Sequence, residues 1–228
     1  MIPRVLLLFL LTLPAHAQQT TWRFDSLTSI ANNPTTLVGA PTVVQTELGK
    51  AVHFNSPTGT TGDAIFLDTN PLAGASAYTF EVIFRPSSAG LPEQRFFHMQ
   101  ESASQSRRMF ELRIHEGKWC LDTVAFSYPT GEKARSGVML NCDAGHLFPL
   151  DRWYAIAAVY DGKVLRAYVN GALQGEIAVD LLPLGPGRTS IGTRIDQRNF
   201  FTGDIFLARF TNSALPVAEL LKVPAQPD

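Results

Sequence analysis

The stretch RWYAIAAVYDGKVLRAYVNGALQGE, residues Arg152 to Glu176, decides the fold of this chain. Trp153 to Tyr160 is an apolar and aromatic run rich in residues that favour β-strands, and Asp161-Gly162 favours a tight hairpin turn. Val164 to Val169 continues as a second strand, and Asn170-Gly171 turns the chain again. The stretch therefore predicts three antiparallel strands, whose apolar face needs a second sheet or a helix to cover it.

Other segments of the chain alternate in the same way. Thr21 to Asp25 and Tyr78 to Pro86 place apolar and polar residues on opposite faces, and Pro86 ends the second segment because it cannot donate to a ladder. Phe110 to His115 alternates as well, which predicts one core face and one polar face. Leu215 to Lys222 has helical propensity. The pattern predicts an all-β chain of about a dozen strands with one short C-terminal helical turn.

The spacing W-x-x-x-A-x-x-Y-D-G-x-x-x-x-x-Y-V-N-G, from Trp153 to Gly171, resembles the centre of a laminin-G-like domain of the concanavalin A-like superfamily. Ala51 to Phe54 and Tyr78 to Glu81 are similar to the opening strands of that family, and Ile191-Gly192 with Phe201 to Ile205 to its closing strands. The resemblance spans about Thr21 to Val223. It implies a jelly-roll sandwich of two antiparallel sheets.

The length and the first residues suggest one exported domain. A chain of 228 residues with 45% hydrophobic and 17% charged residues has room for one sizeable core, so residues 18–228 are expected to form a single domain. Residues 1–17 have one early cation, Arg4, an apolar run, and the cleavage pattern Ala15-His16-Ala17. We therefore expect a signal peptide and a secreted or periplasmic protein. A membrane anchor is the alternative, but the run is too short to span a bilayer.

Charge composition narrows the range of partners. Removal of the signal peptide leaves 18 Lys and Arg against 20 Asp and Glu, a net charge of −2. The mature chain therefore lacks the excess of positive charge that proteins binding nucleic acid or an anionic membrane surface usually have. We expect a polysaccharide or other glycan, or an extracytoplasmic protein, as the partner.

The two cysteines, Cys120 and Cys142, form an even count in a chain expected to be exported, which predicts one disulfide. Two buried free thiols are the alternative. The five histidines, at positions 16, 53, 98, 115 and 146, show no His-x-x-x-His spacing, so no zinc site is predicted.

Catalytic motifs of the superfamily are not found in this sequence. Its glycoside hydrolases carry two or three acids at alternate positions of one strand, whereas Glu111-Leu112-Arg113-Ile114-His115 supplies one carboxylate, one guanidinium and one imidazole. Ordinary glycoside hydrolysis is therefore disfavoured, and we expect no enzymatic activity. A lyase that uses a His or Tyr base beside an Arg stays open as an alternative.

Calcium is the cofactor that the resemblance suggests, but the acidic motif that closes the family's site is absent. Many relatives have Ile-Asp-Glu where this chain has Ile205-Phe206-Leu207, and Asp204 stands on the other side of Ile205. That shift of one residue sends the carboxylate to the opposite face of a strand. Asp63, Asp68, Asp196 and Asp204 either build a site elsewhere or are turn and surface residues. No metal ligand is assigned.

Aromatic side chains are the common platforms for stacking sugars. Trp22 and Trp153 are predicted to pack in the core, while the role of Trp119 is not determined by the pattern. Tyr128 lies in a polar loop and is expected to be the most exposed aromatic residue.

The leading functional expectation is a secreted, non-catalytic module that binds carbohydrate or another extracytoplasmic polymer. Its binding residues are predicted to be Glu111, Arg113 and His115 on one strand, with Arg166 and Tyr168 on another. The five side chains form one patch if both strands belong to the same sheet; the alternative for the first three is a solvated strand face. A polysaccharide hydrolase or lyase, and a protein-binding adhesion or envelope-assembly module, are the rival functions.

Overall fold

The computed structural model describes residues 18–128, 136–143 and 145–224, so the predicted signal peptide lies outside the described residues. The strands of the described chain are, in order, β1 (Gln19–Arg23), β2 (Ser29–Ile30), β3 (Asn33–Pro34), β4 (Thr36–Val38), β5 (Thr42–Thr46), β6 (Gly49–Phe54), β7 (Ala64–Leu67), β8 (Tyr78–Pro86), β9 (Glu93–Glu101), β10 (Arg107–His115), β11 (Lys118–Ser127), β12 (Ser136–Leu140), β13 (Phe148–Pro149), β14 (Tyr154–Tyr160), β15 (Val164–Val169), β16 (Ala172–Ala178), β17 (Gly187–Ile191) and β18 (Gly203–Thr211).

These strands form two antiparallel sheets of eight strands each and one small hairpin, β2-β3. Sheet I has the order β16-β15-β14-β8-β18-β6-β5, and β1 also pairs with β18. Sheet II has the order β12-β11-β10-β9-β17-β7-β4, and β13 also pairs with β11. The prediction of an all-β jelly-roll sandwich is therefore confirmed.

The stretch that opened the sequence analysis forms β14, β15 and β16, which pair as an antiparallel meander in sheet I. Both turn glycines have positive φ, 95° at Gly162 and 77° at Gly171, a backbone conformation that favours glycine. Asn170 also has positive φ, and its side-chain oxygen accepts a 2.9 Å hydrogen bond from the Ala155 amide. The predicted pair of Asx-Gly turns thus builds one edge of sheet I, where β16 is the last strand.

Aromatic side chains from both sheets fill the space between them. Phe80 of sheet I stacks on Phe110 of sheet II with ring centroids 4.2 Å apart, and Phe84 stacks on Phe96 at 4.6 Å. Such ring pairs add stability beyond the apolar area that they bury. The two sheets are therefore joined by a continuous core, and any ligand surface must lie on an outer face or at a rim.

The C-terminal segment, residues 212–223, crosses the outer face of sheet I. Its predicted helical turn over Leu215 to Lys222 is reduced to a single 3-10 turn, Val217–Glu219. Pro216 has an extended backbone with φ −66° and ψ 152°, and so does Leu220 on the other side of the turn. No helix within residues 18–128, 136–143 and 145–224 is long and apolar enough to cross a membrane.

Candidate functional site

The outer face of sheet I is covered around β14 and β15 by the C-terminal segment. Leu215 and Leu220 of the segment pack in one cluster with Tyr168, which is only 8% exposed. Leu221 packs in a neighbouring cluster with Trp153. Tyr168 does point to the outer face as predicted, but it lies beneath the segment and does not reach a ligand in this structure.

A buried ion pair fastens the C-terminal segment to sheet I. The Arg209 guanidinium donates two hydrogen bonds to the Glu81 carboxylate, at 2.5 and 2.9 Å. The Leu221 amide donates to the same carboxylate at 2.6 Å, and Arg209 donates to the Glu219 carbonyl at 2.7 Å. The segment is therefore held by charge-assisted hydrogen bonds as well as by apolar packing.

Arg166, the other predicted binding residue of sheet I, is committed to two carboxylates. Its guanidinium donates to Asp161 at 2.7 Å and to Glu176 at 2.9 Å. The Arg166 side chain lowers the pKa of Asp161 to about 2, and the backbone amides of the turn act in the same direction. Arg166 thus closes an ionic group around the first turn of the meander.

The prediction that the five binding residues form one patch is wrong. Glu111, Arg113 and His115 lie on β10 in sheet II, whereas Arg166 and Tyr168 lie on β15 in sheet I. Alternation specifies which side chains share a face of one strand, but it does not specify which sheet that strand joins. The two polar rows therefore point away from each other, on opposite outer faces of the sandwich.

The outer face of sheet II carries a row of three charged side chains, Asp122, Glu111 and Arg95, which we call the ionic row. The register places Glu111 opposite Asp122 on β11 and opposite Arg95 on β9. An Arg95 Nη2 to Glu111 oxygen distance of 3.1 Å completes an ion pair. Glu111 is only 3% exposed, so the predicted solvated strand face is instead a packed polar layer.

A β-bulge explains why Arg95 joins this row. The register shifts between Phe110 and Glu111, so that both Phe96 and Phe97 are buried in the core. The extra residue reverses the alternation of β9 and turns Arg95 and Glu93 to the outer face. The bulge therefore supplies the guanidinium that pairs with Glu111.

Arg113 and His115 continue the outer face from the ionic row toward the end of β10. The Arg113 guanidinium donates to Asp122 at 2.7 Å and also hydrogen-bonds Glu93. His115 is exposed, and it borders a depression of about 400 Å³ that is also lined by Glu116, Cys142 and Leu147. Arg113 and His115 are thus the predicted binding residues that stay accessible on this face.

The Glu111 and Asp122 carboxyl groups are direct cross-strand neighbours, a pairing that the sequence analysis missed. Burial raises the pKa of Glu111 against the opposing effect of Arg95. Asp122 is 0% exposed, and its oxygens accept hydrogen bonds from Arg113 and from the Cys142 amide. Both acids are therefore buried and committed to partners within the chain.

A second group on the same face consists of Arg107, His98 and Arg194, which we call the arginine cluster. Arg107 pairs with Gln100 and lies diagonal to His98 on the neighbouring strand. The Ile195 amide donates to His98 Nδ1 at 3.1 Å, which brings Arg194 beside this histidine. Burial, and then the charges of Arg194 and Arg107, lower the pKa of His98 to about 3, so the imidazole is neutral.

The predicted disulfide between Cys120 and Cys142 is confirmed, with Cα atoms 5.3 Å apart. Cys120 lies on β11 opposite Arg113, and Cys142 follows β12 rather than belonging to it. The Cys142 amide hydrogen-bonds Asp122 of the ionic row. The bridge therefore holds the chain after β12 against this row.

None of the three tryptophans is available as a sugar platform. Trp22 and Trp119 are 1% and 0% exposed in the main core, and Trp153 is 6% exposed under the C-terminal segment. Tyr128, expected to be exposed, is half-buried and packs in a small cluster with Phe126. Ligand recognition on sheet II would therefore rest on polar groups more than on stacked rings.

The acidic residues considered for calcium have other partners. Asp204 contacts His53 and Arg85, each at 2.9 Å, and Asp63 accepts hydrogen bonds from the backbone amides of Ala40 and Asn55. Within residues 18–128, 136–143 and 145–224, no group of three or more His, Cys, Asp or Glu residues could hold a metal ion. The residues described do not fit the calcium site that the resemblance suggested.

Comparison with known proteins identifies the family. The model of the Laminin_G_3 family, described as the concanavalin A-like lectin/glucanases superfamily, matches residues 58–221. No curated protein sequence matches the chain.

Solved structures share the fold at low sequence identity. Domain 4 of AbnA, a GH43 extracellular arabinanase from Geobacillus stearothermophilus in complex with arabinotriose, has a TM-score of 0.62 and 17% identity, covering 90% of this chain and 97% of that one. A structure concerned with the interaction of botulinum neurotoxin type C with two ganglioside molecules has a TM-score of 0.59 and 10% identity. The binding domain of botulinum neurotoxin DC with rat synaptotagmin II has a TM-score of 0.60 and 11% identity. Both toxin matches cover 88% of this chain and 49% of the other.

Proposed function

We propose that this chain, which belongs to the concanavalin A-like lectin/glucanase superfamily, is a secreted, non-catalytic module that binds carbohydrate. The arabinotriose complex of the arabinanase domain and the ganglioside interaction of the neurotoxin support carbohydrate binding on this architecture. The composition of residues 1–17 supports export. Fold alone does not choose among the functions of the superfamily, so the argument rests on the site.

The observation that carries the proposal is the accessible pair Arg113 and His115 on the outer face of sheet II, beside the buried ionic row. A guanidinium and an imidazole on one face of a strand can hydrogen-bond the hydroxyls of a sugar. The corresponding face of sheet I is covered by the C-terminal segment around β14 and β15. The proposed binding face is therefore that of sheet II.

The residues of the proposed site divide into two roles. Arg113, whose side chain is 30% exposed, and the exposed His115 contact the ligand. Glu111 and Asp122 are buried and hold Arg95 and Arg113 in place. We leave Arg166 and Tyr168 out of the site because they belong to the opposite face.

A polysaccharide panel tests the proposal, with the chain from Gln18 onward as the probe. We expect Arg113→Ala to weaken binding about tenfold or more, as the loss of a charge-assisted hydrogen bond does, and His115→Ala to weaken it about threefold or more, as the loss of an ordinary hydrogen bond does. Arg166→Ala is the matched control, because Arg166 also pairs with two carboxylates and its side chain is also 30% exposed. Thermal melts of each variant establish that it is folded.

The proposal fails if no polysaccharide of the panel binds the folded chain. The assignment of the face fails separately under two joint results: Arg166→Ala weakens binding as much as Arg113→Ala does, and His115→Ala does not change binding. His115 is exposed and its side chain has no hydrogen-bond or ion-pair partner among the described residues, so that variant remains informative even if Arg113→Ala unfolds.

A further inference from the structure

The arginine cluster has features that the binding of neutral sugar does not require. Arg107 lies diagonal to His98 on the neighbouring strand, and Arg194 precedes Ile195, whose amide donates to His98, so both arginines are neighbours of this histidine. Arg107 has no carboxylate partner within the part of the chain that the structure describes; it donates to the Gln105 carbonyl at 3.1 Å and stacks over Phe126 at 4.6 Å. Among the described residues, Asp196 is therefore the one carboxylate that pairs with an arginine of this group.

His98 contributes a hydrogen-bond donor to the cluster. Its Nδ1 accepts the proton of the Ile195 amide, so the neutral imidazole carries its own proton on Nε2. His98 is 1% exposed, and Nε2 has no hydrogen-bond partner in the described structure. A buried N–H without an acceptor is uncommon in folded proteins and calls for an explanation.

The neighbouring guanidiniums share this deficit. Arg95 Nε, Arg107 Nε and Arg194 Nε are also buried without a hydrogen-bond partner among the described residues. The Asp196 carboxylate lies 3.3 Å from Arg194 Nε without the alignment of a hydrogen bond, and it is shared with Arg198 at 2.8 Å. Four nitrogen donors in one part of the face thus lack an acceptor.

A strained loop presents Arg194 to the cluster. Gln197 and Asn199 both have positive φ, 54° and 56°, a backbone conformation that asparagine tolerates but that is unfavourable for glutamine. The loop is held by a hydrogen bond from Thr193 to the Arg198 carbonyl and by one from the Arg95 amide to the Asn199 carbonyl. The fold therefore maintains a strained backbone that keeps Arg194 beside His98, although the like charge of Arg107 opposes this.

We infer that Arg107, Arg194 and His98 form an oxyanion subsite of the carbohydrate site, which takes the carboxylate or sulfate group of an acidic sugar. The inference rests on the proposed function and deepens it by naming the ligand class. The side chain of Arg194 is 22% exposed and Arg107 is half-buried, so a ligand oxygen reaches their terminal nitrogens from solvent. An anion bound to these terminal nitrogens offsets the repulsion between the two guanidiniums. His98 Nε2 and the arginine Nε atoms are buried, so they donate to the anion only if the side chains around them move.

Matched polymers isolate the charge of the ligand. Polygalacturonate and its fully methyl-esterified form differ in carboxylate charge, and dextran sulfate and dextran differ in sulfate. We expect the chain to bind one acidic polymer about tenfold or more tightly than its neutral partner, the effect of a charge-assisted hydrogen bond. The variant Arg107→Gln with Arg194→Gln should bring that ratio close to one. Arg23→Gln is the control, because Arg23 is exposed on β1 in sheet I.

The outcomes separate the two claims. A preference for polygalacturonate assigns the subsite to a carboxylate, and a preference for dextran sulfate assigns it to a sulfate. Equal binding of charged and neutral polymers overturns the oxyanion subsite and leaves the carbohydrate proposal standing. A preference for the charged polymer that survives in the folded double variant also overturns the subsite. If the chain binds none of the four polymers and none of the wider panel, both the subsite and the carbohydrate proposal are overturned. If the double variant does not fold, the single Arg107→Gln variant and the polymer comparison decide.

Discussion

Replacing Glu81 with alanine removes the carboxylate that fastens the C-terminal segment to sheet I. Glu81 is 1% exposed, and it accepts hydrogen bonds from Arg209 and from the Leu221 amide. The substitution leaves the Arg209 guanidinium, only 15% exposed, without its anion. Breaking one partner of a buried ion pair costs about 3–5 kcal/mol, which is a large part of the stability of an ordinary domain.

Urea unfolding measures this cost directly, with Glu176→Ala as the matched control. Glu176 also pairs with an arginine, Arg166, but its side chain is 54% exposed, and exposed pairs contribute about 0–1 kcal/mol. We expect Glu81→Ala to lower the free energy of unfolding by several times the effect of Glu176→Ala. A loss below about 1 kcal/mol for Glu81→Ala, or equal losses in the two variants, refutes the argument that burial of the pair holds the segment.

Two further predictions concern pH and backbone strain. The hydrogen bond to Asp204 raises the pKa of His53 above its ordinary value of 6.5. The stability from this pair is therefore complete below pH 6.5 and is lost as the pH rises through the raised pKa. Melting temperatures should therefore fall from about pH 6 to about pH 8 by more in the parent than in His53→Gln; equal falls contradict the prediction. Gly192→Ala should cost at least about 2 kcal/mol against about 1 kcal/mol for Gly171→Ala. Both glycines have positive φ, but only at Gly192 would a Cβ meet backbone, at 2.6 Å from the Asp63 carbonyl. Equal losses in urea unfolding would argue against this ordering.

The faces of individual strands could be predicted from the sequence, whereas the grouping of strands into sheets could not. Phe110 and Leu112 of β10, and Leu165 and Ala167 of β15, all face the core as the alternation predicted. Alternation is a property of one strand, and it leaves open which strands are its neighbours. The core needs apolar rows from both sheets, so two strands with the same pattern fit equally well on opposite sides. The outward direction of Arg166 could for this reason be predicted, but not that its strand lies in the sheet opposite to that of Arg113.

The position of Arg194 depends on the conformation of a loop, and loops lack the periodic sequence pattern from which a strand can be predicted. Arg194 comes after β17 in a loop whose backbone takes positive φ at Gln197 and Asn199. Asn199 is a weak sign of such a turn, because asparagine tolerates positive φ, whereas Gln197 gives no sign of it. The contact with His98 is made through the backbone amide of Ile195, which any residue could supply. The arginine cluster is thus visible only once the chain is folded.

Part of the ionic row could nevertheless have been derived from a turn. Glu116 and Gly117 both have positive φ and join β10 to β11 in a two-residue turn, for which the Glu-Gly dipeptide is a weak sign. A two-residue turn fixes the register, because the two residues that flank it must pair. Each residue further from the turn on one strand then pairs with the residue at the same distance from the turn on the other strand. Glu111 then lies opposite Asp122, as the structure has it. The position of Arg95 could not be derived in this way. Without a bulge, the pairing of β9 with β10 would turn Gln94 outward and Arg95 inward. The consecutive Phe96 and Phe97 are the one sign in the sequence that an extra residue interrupts this pairing.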